Sequence, residues 1–220
     1  FTATSATAVT GLIVLDTAKD FTPFGQTIIM VLFQIGGLGM LTFTSFFAYF
    51  FKSGASFKES LYMKDILGQE NLNSIMRVAM SIVVFSLVLE AVGALFIYSS
   101  LQGIDSYKDR GFFAVFHAIS AYCNAGFSIS STGLYDESLR FNYYMQWVVM
   151  ILIVMGGLGY NIASNFIQYV KHFFYNLFNK NNKKFISRVI TLNTKIVIYT
   201  TILLIVVGTG FFLISEQETF

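Results

Sequence analysis

Long runs without charge alternate along this chain with short charged segments. Phe21 to Phe51 holds no charged residue in 31 positions, Phe141 to Val170 none in 30, and Ile196 to Ser215 none in 20. A fourth apolar run, Val78 to Ser100, is interrupted only by Glu90. Each is as long as the roughly 20 apolar residues that a helix needs to cross a hydrocarbon core of about 30 Å. The pattern predicts an all-α membrane protein with helices over Phe24 to Phe50, Val78 to Tyr98, Asn142 to Val170 and Leu192 to Ile214.

The order of elements is used twice. Phe1 to Leu12, FTATSATAVTGL, returns 115 residues later as FHAISAYCNAGF, Phe116 to Phe127, with Phe, Ala, Ser, Ala and Gly at matching places. After each copy comes an uncharged run carrying Gly-Gly-Leu-Gly, at Gly36 to Gly39 and at Gly156 to Gly159, with Gln26 and Gln146 ten residues before. Internal repetition in so apolar a chain indicates a membrane protein assembled from like modules. The first motif opens at Phe1 itself, so the chain reads as a fragment.

Composition agrees and charge supplies direction. Apolar residues make up 55% of the chain, charged ones 12%, and mean hydropathy is +0.65, far from a water-soluble domain. A net charge of +2 gives no argument for nucleic acid, and the single cysteine, Cys123, cannot form an intrachain disulfide. The segments Lys52 to Arg77 and Lys171 to Lys195 hold ten of the 14 Lys and Arg, which places them on the cytoplasmic side by the positive-inside rule. Asp16, Asp20, Asp105, Asp109, Asp136, Glu137, Glu216 and Glu218 then face outward, where acidity gathers cations. Trp147, Tyr143 and Tyr144 read as an outer interfacial belt.

The two echo segments fall on the outer side, each before an inward helix. At 12 residues, or about 18 Å as a helix, each is too short to cross and fits a re-entrant half-helix with a return loop. Asp109 suits the start of the second, near Gly111. A half-helix entering from outside points its partially negative end at the membrane centre. Small residues and a glycine then follow, at Ala8-Val9-Thr10-Gly11 and Cys123-Asn124-Ala125-Gly126. Such a stretch can turn successive carbonyls toward one axis, and carbonyl rings replace the hydration shell of a monovalent cation.

At these residues the chain resembles the Trk/Ktr/HKT potassium transporters. SATAVTGL from Ser5, SAYCNAGFS from Ser120, and the FQIGGLGM and VMGGLGYN segments carry the likeness, in the family's order over essentially all 220 residues. The resemblance implies the pore-forming subunit of a potassium uptake system, built from helix, re-entrant pore loop, helix modules of a potassium-channel-like superfamily. It implies a first repeat at 1–52 lacking its first helix, a cytoplasmic loop at 53–77, a complete second repeat at 78–171, a second cytoplasmic loop at 172–191, and the first helix of a third repeat at 192–220. Val9, Thr10, Gly11, Asn124, Ala125 and Gly126 become filter residues for K+, with Ser5, Ser120 and Glu90 supporting the loops. In plant members a serine at the first filter glycine goes with sodium transport, so Gly11 matches the potassium-favouring form. The family further implies a homodimer in the cell membrane, docked on cytosolic nucleotide-binding (RCK/KTN) regulatory subunits. This chain has neither GxGxxG nor GxxxxGK[ST], so nucleotide control would belong to another chain and no cofactor is expected in this one.

Other readings have specific weaknesses. A membrane enzyme needs convergent titratable groups at depth, and only Glu90 qualifies; we expect it to bond backbone N–H groups behind a loop. His117 and His172 lack metal-ligand spacing. The cytoplasmic segments are basic enough to lie on anionic lipid. A scaffold without a pathway gives no reason for matched re-entrant segments, while a sodium-transporting or sodium-coupled relative would share them. The Gly-Gly-Leu-Gly segments admit close packing or a kink.

Overall fold

A computed structural model describes residues 1–39, 72–101, 109–159 and 192–216, with a few positions between 162 and 167. Side chains of the two long helices are described from 80 and 194 onward. Most of the expected loop 53–77, all of 172–191 with His172, and the inner ends of both inward helices lie outside the described residues.

The regular structure of those residues is all helix, without a strand. In order they form α1 (Thr2–Thr7), α2 (Pro23–Gly37), α3 (Leu72–Ser100), α4 (Arg110–Tyr122), a short 3-10 turn (Gly133–Tyr135), α5 (Tyr143–Leu158) and α6 (Leu192–Ser215). Two compact units result, Phe1–Gly157 and Leu158–Phe220. Within α3 and α6, Met80–Ser100 and Thr194–Ser215 each have a mean hydropathy of 2.4 and are long and apolar enough to cross a membrane; α2 and α5 are shorter apolar helices.

Local signals explain the boundaries. Pro23, whose fixed φ suits the first helical position, opens α2 behind Thr22, and the Thr22 hydroxyl accepts a hydrogen bond from the Gly25 N–H at 3.3 Å. Asp109 caps α4 by accepting from the Phe112 N–H at 3.0 Å, so the helix starts at Arg110, one residue before the expected Gly111. The inward helices are not continuous over Phe24 to Phe50 and Asn142 to Val170 as expected. Gly39 and Gly159 hold φ of +78° and +75°, and a left-handed residue ends the regular α-helical ladder.

In the first unit α1 packs on α2, and α4 packs on both α3 and α2. Gln26, Ile29 and Phe33 are the buried positions of α2, three and four residues apart and so on one face. Phe33 meets Phe116 edge-on at 5.4 Å and stacks on Phe127 at 6.0 Å, joining the first module to the second. Met145, Val149 and Leu152 of α5 pack with Ile97, Phe113 and Ala118 in a second cluster. The outer faces keep Phe24, Ile28, Val31, Met150 and Ile151 exposed, an apolar surface suited to lipid rather than to water.

Candidate functional site

Both echo segments leave their half-helices in the same conformation. Ala8 and Cys123 end α1 and α4 in right-handed geometry. Val9 and Asn124 then turn left-handed, with φ of +55° and +57°, and Gly11 and Gly126 do so again at +75° and +74°. The intervening Thr10 and Ala125 have negative φ. Alternation of hand cancels coiling, so the chain extends after each helix end, with φ of alternating sign in both copies.

The N–H groups are anchored alike. Val9 N–H donates to the Ala6 carbonyl at 3.0 Å and Asn124 N–H to Ala121 at 3.1 Å; Thr10 N–H donates to Ser5 at 2.9 Å and Ala125 N–H to Ser120 at 2.8 Å. Ser5 and Ser120 add side-chain ties. The Thr10 hydroxyl donates to Ser5 Oγ at 2.9 Å, and the Ser120 hydroxyl donates to the Phe127 carbonyl at 2.7 Å. Among the described residues no hydrogen bond reaches the carbonyl oxygens of Val9, Thr10, Gly11, Asn124, Ala125 or Gly126. Left-handed geometry at Val9 costs about 1–2 kcal/mol for a residue with a Cβ, so packing must hold it there.

Glycines supply that packing. A Cβ at Gly36 would collide with the Thr7 carbonyl and lie 2.8 Å from Val9 Cγ2, while one at Gly156 would collide with the Tyr122 carbonyl. Thr7 and Tyr122 occupy equivalent places in the two echo segments, so α2 supports α1, and α5 supports α4, at the same point. Gly37 does something different: its missing Cβ makes room for Cys123 Sγ of the second segment, which would stand 2.5 Å away. Of the two readings open for the Gly-Gly-Leu-Gly motif, close approach holds at Gly36, Gly37 and Gly156, while its last glycine, at positive φ in both copies, interrupts the helix.

Gly11 and Gly126 come together. A Cβ on Gly11 would lie 2.5 Å from the Ala125 carbonyl oxygen and 3.4 Å from Gly126 Cα. The Asn124 amide points away from this seam, with Nδ2 at 3.2 Å from a Cβ built on Gly156. A cavity of about 280 Å³ beside the second segment is lined in part by His117, Ser120, Asn124, Gly126, Val149 and Ile153. His117 is a structural residue. Its Nδ1–H donates to the Phe113 carbonyl at 2.9 Å, which leaves Nε2 to accept from the Ser128 hydroxyl at 2.9 Å.

Glu90 differs from expectation. It is buried, and among the described residues the bonds to its carboxylate come from a side chain and not from backbone N–H groups: Gln34 Nε2 donates to Oε1 at 3.0 Å and to Oε2 at 2.9 Å. The reason is geometric: α2 and α3 together set the Gln34 amide against the carboxylate.

A second repeated feature follows each echo segment. Asp16 Oδ1 accepts from the Ala18 N–H at 2.8 Å, and Asp136 Oδ1 from the Ser138 N–H at 3.1 Å. Gln26 Nε2 then donates to the Thr17 carbonyl and Gln146 Nε2 to that of Arg140. These bonds hold both carboxyls below the ordinary carboxylate range, Asp16 through the Ala18 N–H and the Ser131 hydroxyl, Asp136 mainly through Ser138. The acids therefore build turns, where charge alone had suggested only cation attraction. The spacing Asp-x4-Phe-[Thr/Asn]-x3-Gln, present at Asp16 and at Asp136, is the signal that could have found them.

Comparison with known proteins agrees with this repeated architecture. A family model described as TrkH, cation transport protein, matches residues 1–216. The chain is 34% identical over 220 residues to Ktr system potassium uptake protein B of Vibrio alginolyticus, covering 99% of this chain and 45% of that protein. It is 32% identical over 218 residues to potassium/sodium uptake protein NtpJ of Enterococcus hirae, covering 99% and 45%. With Ktr system potassium uptake protein B of Bacillus subtilis it shares 33% identity over 204 residues, covering 93% and 42%. The chain thus spans less than half the length of these relatives.

Proposed function

Since this chain belongs to the TrkH family of cation transport proteins, we propose that it forms part of a membrane pore that takes up potassium, with Val9-Thr10-Gly11 and Asn124-Ala125-Gly126 as two of its filter strands. The observation that carries this reading is the matched left-right alternation of the two segments, whose carbonyls accept no hydrogen bond among the described residues. Partially desolvated K+ is stabilised by several carbonyl dipoles at once, and a rigid alternating backbone presents them without collapsing onto its own N–H groups.

In this reading α1 and α4 are re-entrant from the external face, their C-terminal ends directed at the ion. Ser5 and Ser120 brace the strands. The glycines of α2 and α5 let the long helices close behind them. The chain transports and does no covalent chemistry, K+ is its cargo, and two further strands would complete the ring. The domain order is first repeat 1–52, cytoplasmic 53–77, second repeat 78–171, cytoplasmic 172–191 and the start of a third repeat from 192. The proposal includes a homodimer served by cytosolic nucleotide-binding subunits, in keeping with the word "system" in two relatives' names.

A sodium-carrying or sodium-coupled pore is the second reading, favoured by the name of the Enterococcus hirae relative. Competition between rubidium and sodium for uptake separates the two. The main proposal is tested by Gly11→Asp in the complete protein. Potassium uptake by cells lacking other uptake systems should vanish, and normal growth on micromolar potassium would contradict the assignment.

A further inference from the structure

The two modules are joined behind the filter by a buried polar chain that has no equivalent in the next module. Cys123, the residue that caps α4 and precedes the second strand, donates its S–H to Gln34 Oε1 at 3.8 Å. Gln34 in turn donates to both oxygens of Glu90. The order of donors is forced: the carboxylate only accepts, so the amide must face it with nitrogen and keep its oxygen for the thiol. Three elements meet here, α2 of the first module, α3 of the second, and the mouth of the second strand. Glu90 and Cys123 are buried and Gln34 half-buried between them, with Cys123 Sγ filling the space left by the missing Gly37 side chain.

The sequence repeat makes the asymmetry plain. Shifted by the 120 residues that relate Gly36 to Gly156, Gln34 becomes Val154. Aligning Val92-Gly93 of α3 on Val207-Gly208 of α6 turns Glu90 into Ile205. In the echo register Cys123 replaces Ala8. Burying a carboxyl and an amide is costly unless each is satisfied, so the pair is an addition to the basic module and not something its packing requires.

We propose that Gln34 and Glu90 are positioning residues for ion selection: they set where the second filter strand stands against the first. The inference rests on the pore reading above. A strand joined at its base to another module's helix moves with that helix. Gly11 sits against the Ala125 carbonyl at the same seam, so displacement at Cys123 alters the distance between carbonyls of the two strands. Selectivity between ions of one charge depends on the number and spacing of those oxygens. Losing the bond should therefore change which ion is taken up, beyond changing how much protein survives.

The experiment uses the complete protein in cells lacking other potassium uptake, with membrane abundance measured and rubidium and sodium uptake compared as half-saturation ratios. Gln34→Glu places two carboxyls face to face and should lower the preference for rubidium at least about fivefold, the effect of stranding one buried polar group. Gln34→Glu with Glu90→Gln exchanges the partners. It rebuilds donor and acceptor in reversed order, still accepts the thiol, and should restore the native ratio. Glu90→Asp keeps the charge but withdraws its oxygens by one methylene; its ratio should fall about twofold or more, and it decides the matter if Gln34→Glu does not reach the membrane. Native ratios in Gln34→Glu or Glu90→Asp, or a double variant no better than the single, would overturn the proposal while leaving the pore reading intact. Failure of the native complete protein to transport potassium would instead remove the pore reading.

Discussion

The two filter glycines should not tolerate alanine equally. Both have φ near +75°, so a Cβ at either costs about 1–2 kcal/mol in backbone strain. At Gly126 that is nearly the whole cost, because the added carbon would meet only Gly11 Cα, at 3.7 Å. At Gly11 it would lie 2.5 Å from the Ala125 carbonyl oxygen, well inside the 3.4 Å at which ordinary contact begins. Relieving that overlap means pushing the second strand outward, and overpacking of this kind typically adds about 1–3 kcal/mol. Gly11→Ala should then be the worse variant by a factor of about 5 to 150 in the population of correctly formed filter. The assay is initial rubidium uptake by the complete protein, normalised to membrane abundance, with thermal stability in detergent as a second readout. Equal loss in both variants, or greater loss in Gly126→Ala, would refute the placement of the two strands.

Two other predictions follow from contacts rather than from the filter. Gly36→Ala and Gly156→Ala each drive a methyl into a carbonyl of the half-helix and should lower stability by about 2 kcal/mol or more, whereas Gly39→Ala, with nothing within 4 Å of its Cβ, should cost only the left-handed strain of about 1–2 kcal/mol; thermal denaturation of the three variants checks the order. Because the Asp136 carboxyl titrates below its ordinary value of 3.8, its contribution to the outer turn is present above that pH and fades as pH falls through the lower folded value. The Ser138 amide resonance should accordingly shift only in acid below that ordinary value, and Asp136→Ala should remove the shift; a transition at neutral pH would contradict it.

How much was legible depended on whether a feature lived in one stretch of chain or needed two. The echo of Phe1 to Leu12 in Phe116 to Phe127 is local, and small residues before a glycine point to a left-handed turn whatever surrounds them. The Asp109 cap was readable for the same reason. Val9 was harder, since a β-branched residue disfavours positive φ and only the contact of its side chain with Gly36 of another element shows how it is held there; Asn124 tolerates that conformation more readily. The partner of Glu90 could not be read, because Gln34 lies 56 residues away and no periodicity relates the two. The turn acids were missed because Asp16 and Asp136 look like any outer charge until the bonds of Ala18 and Ser138 are seen. The interruptions at Gly39 and Gly159 were open in the sequence as one of two readings, because the even hydropathy of Phe21 to Phe51 does not distinguish a glycine that packs from one at positive φ.

The central claim is that the carbonyls of Val9 to Gly11 and Asn124 to Gly126 replace water around a passing potassium ion. Anomalous diffraction from crystals of the complete protein soaked in rubidium or thallium tests this most directly. The account predicts ion peaks within about 3 Å of those carbonyl oxygens, on the axis between the two strands. Ions bound elsewhere, with both strands turned to bulk solvent or buried within continuous spanning helices, would contradict it.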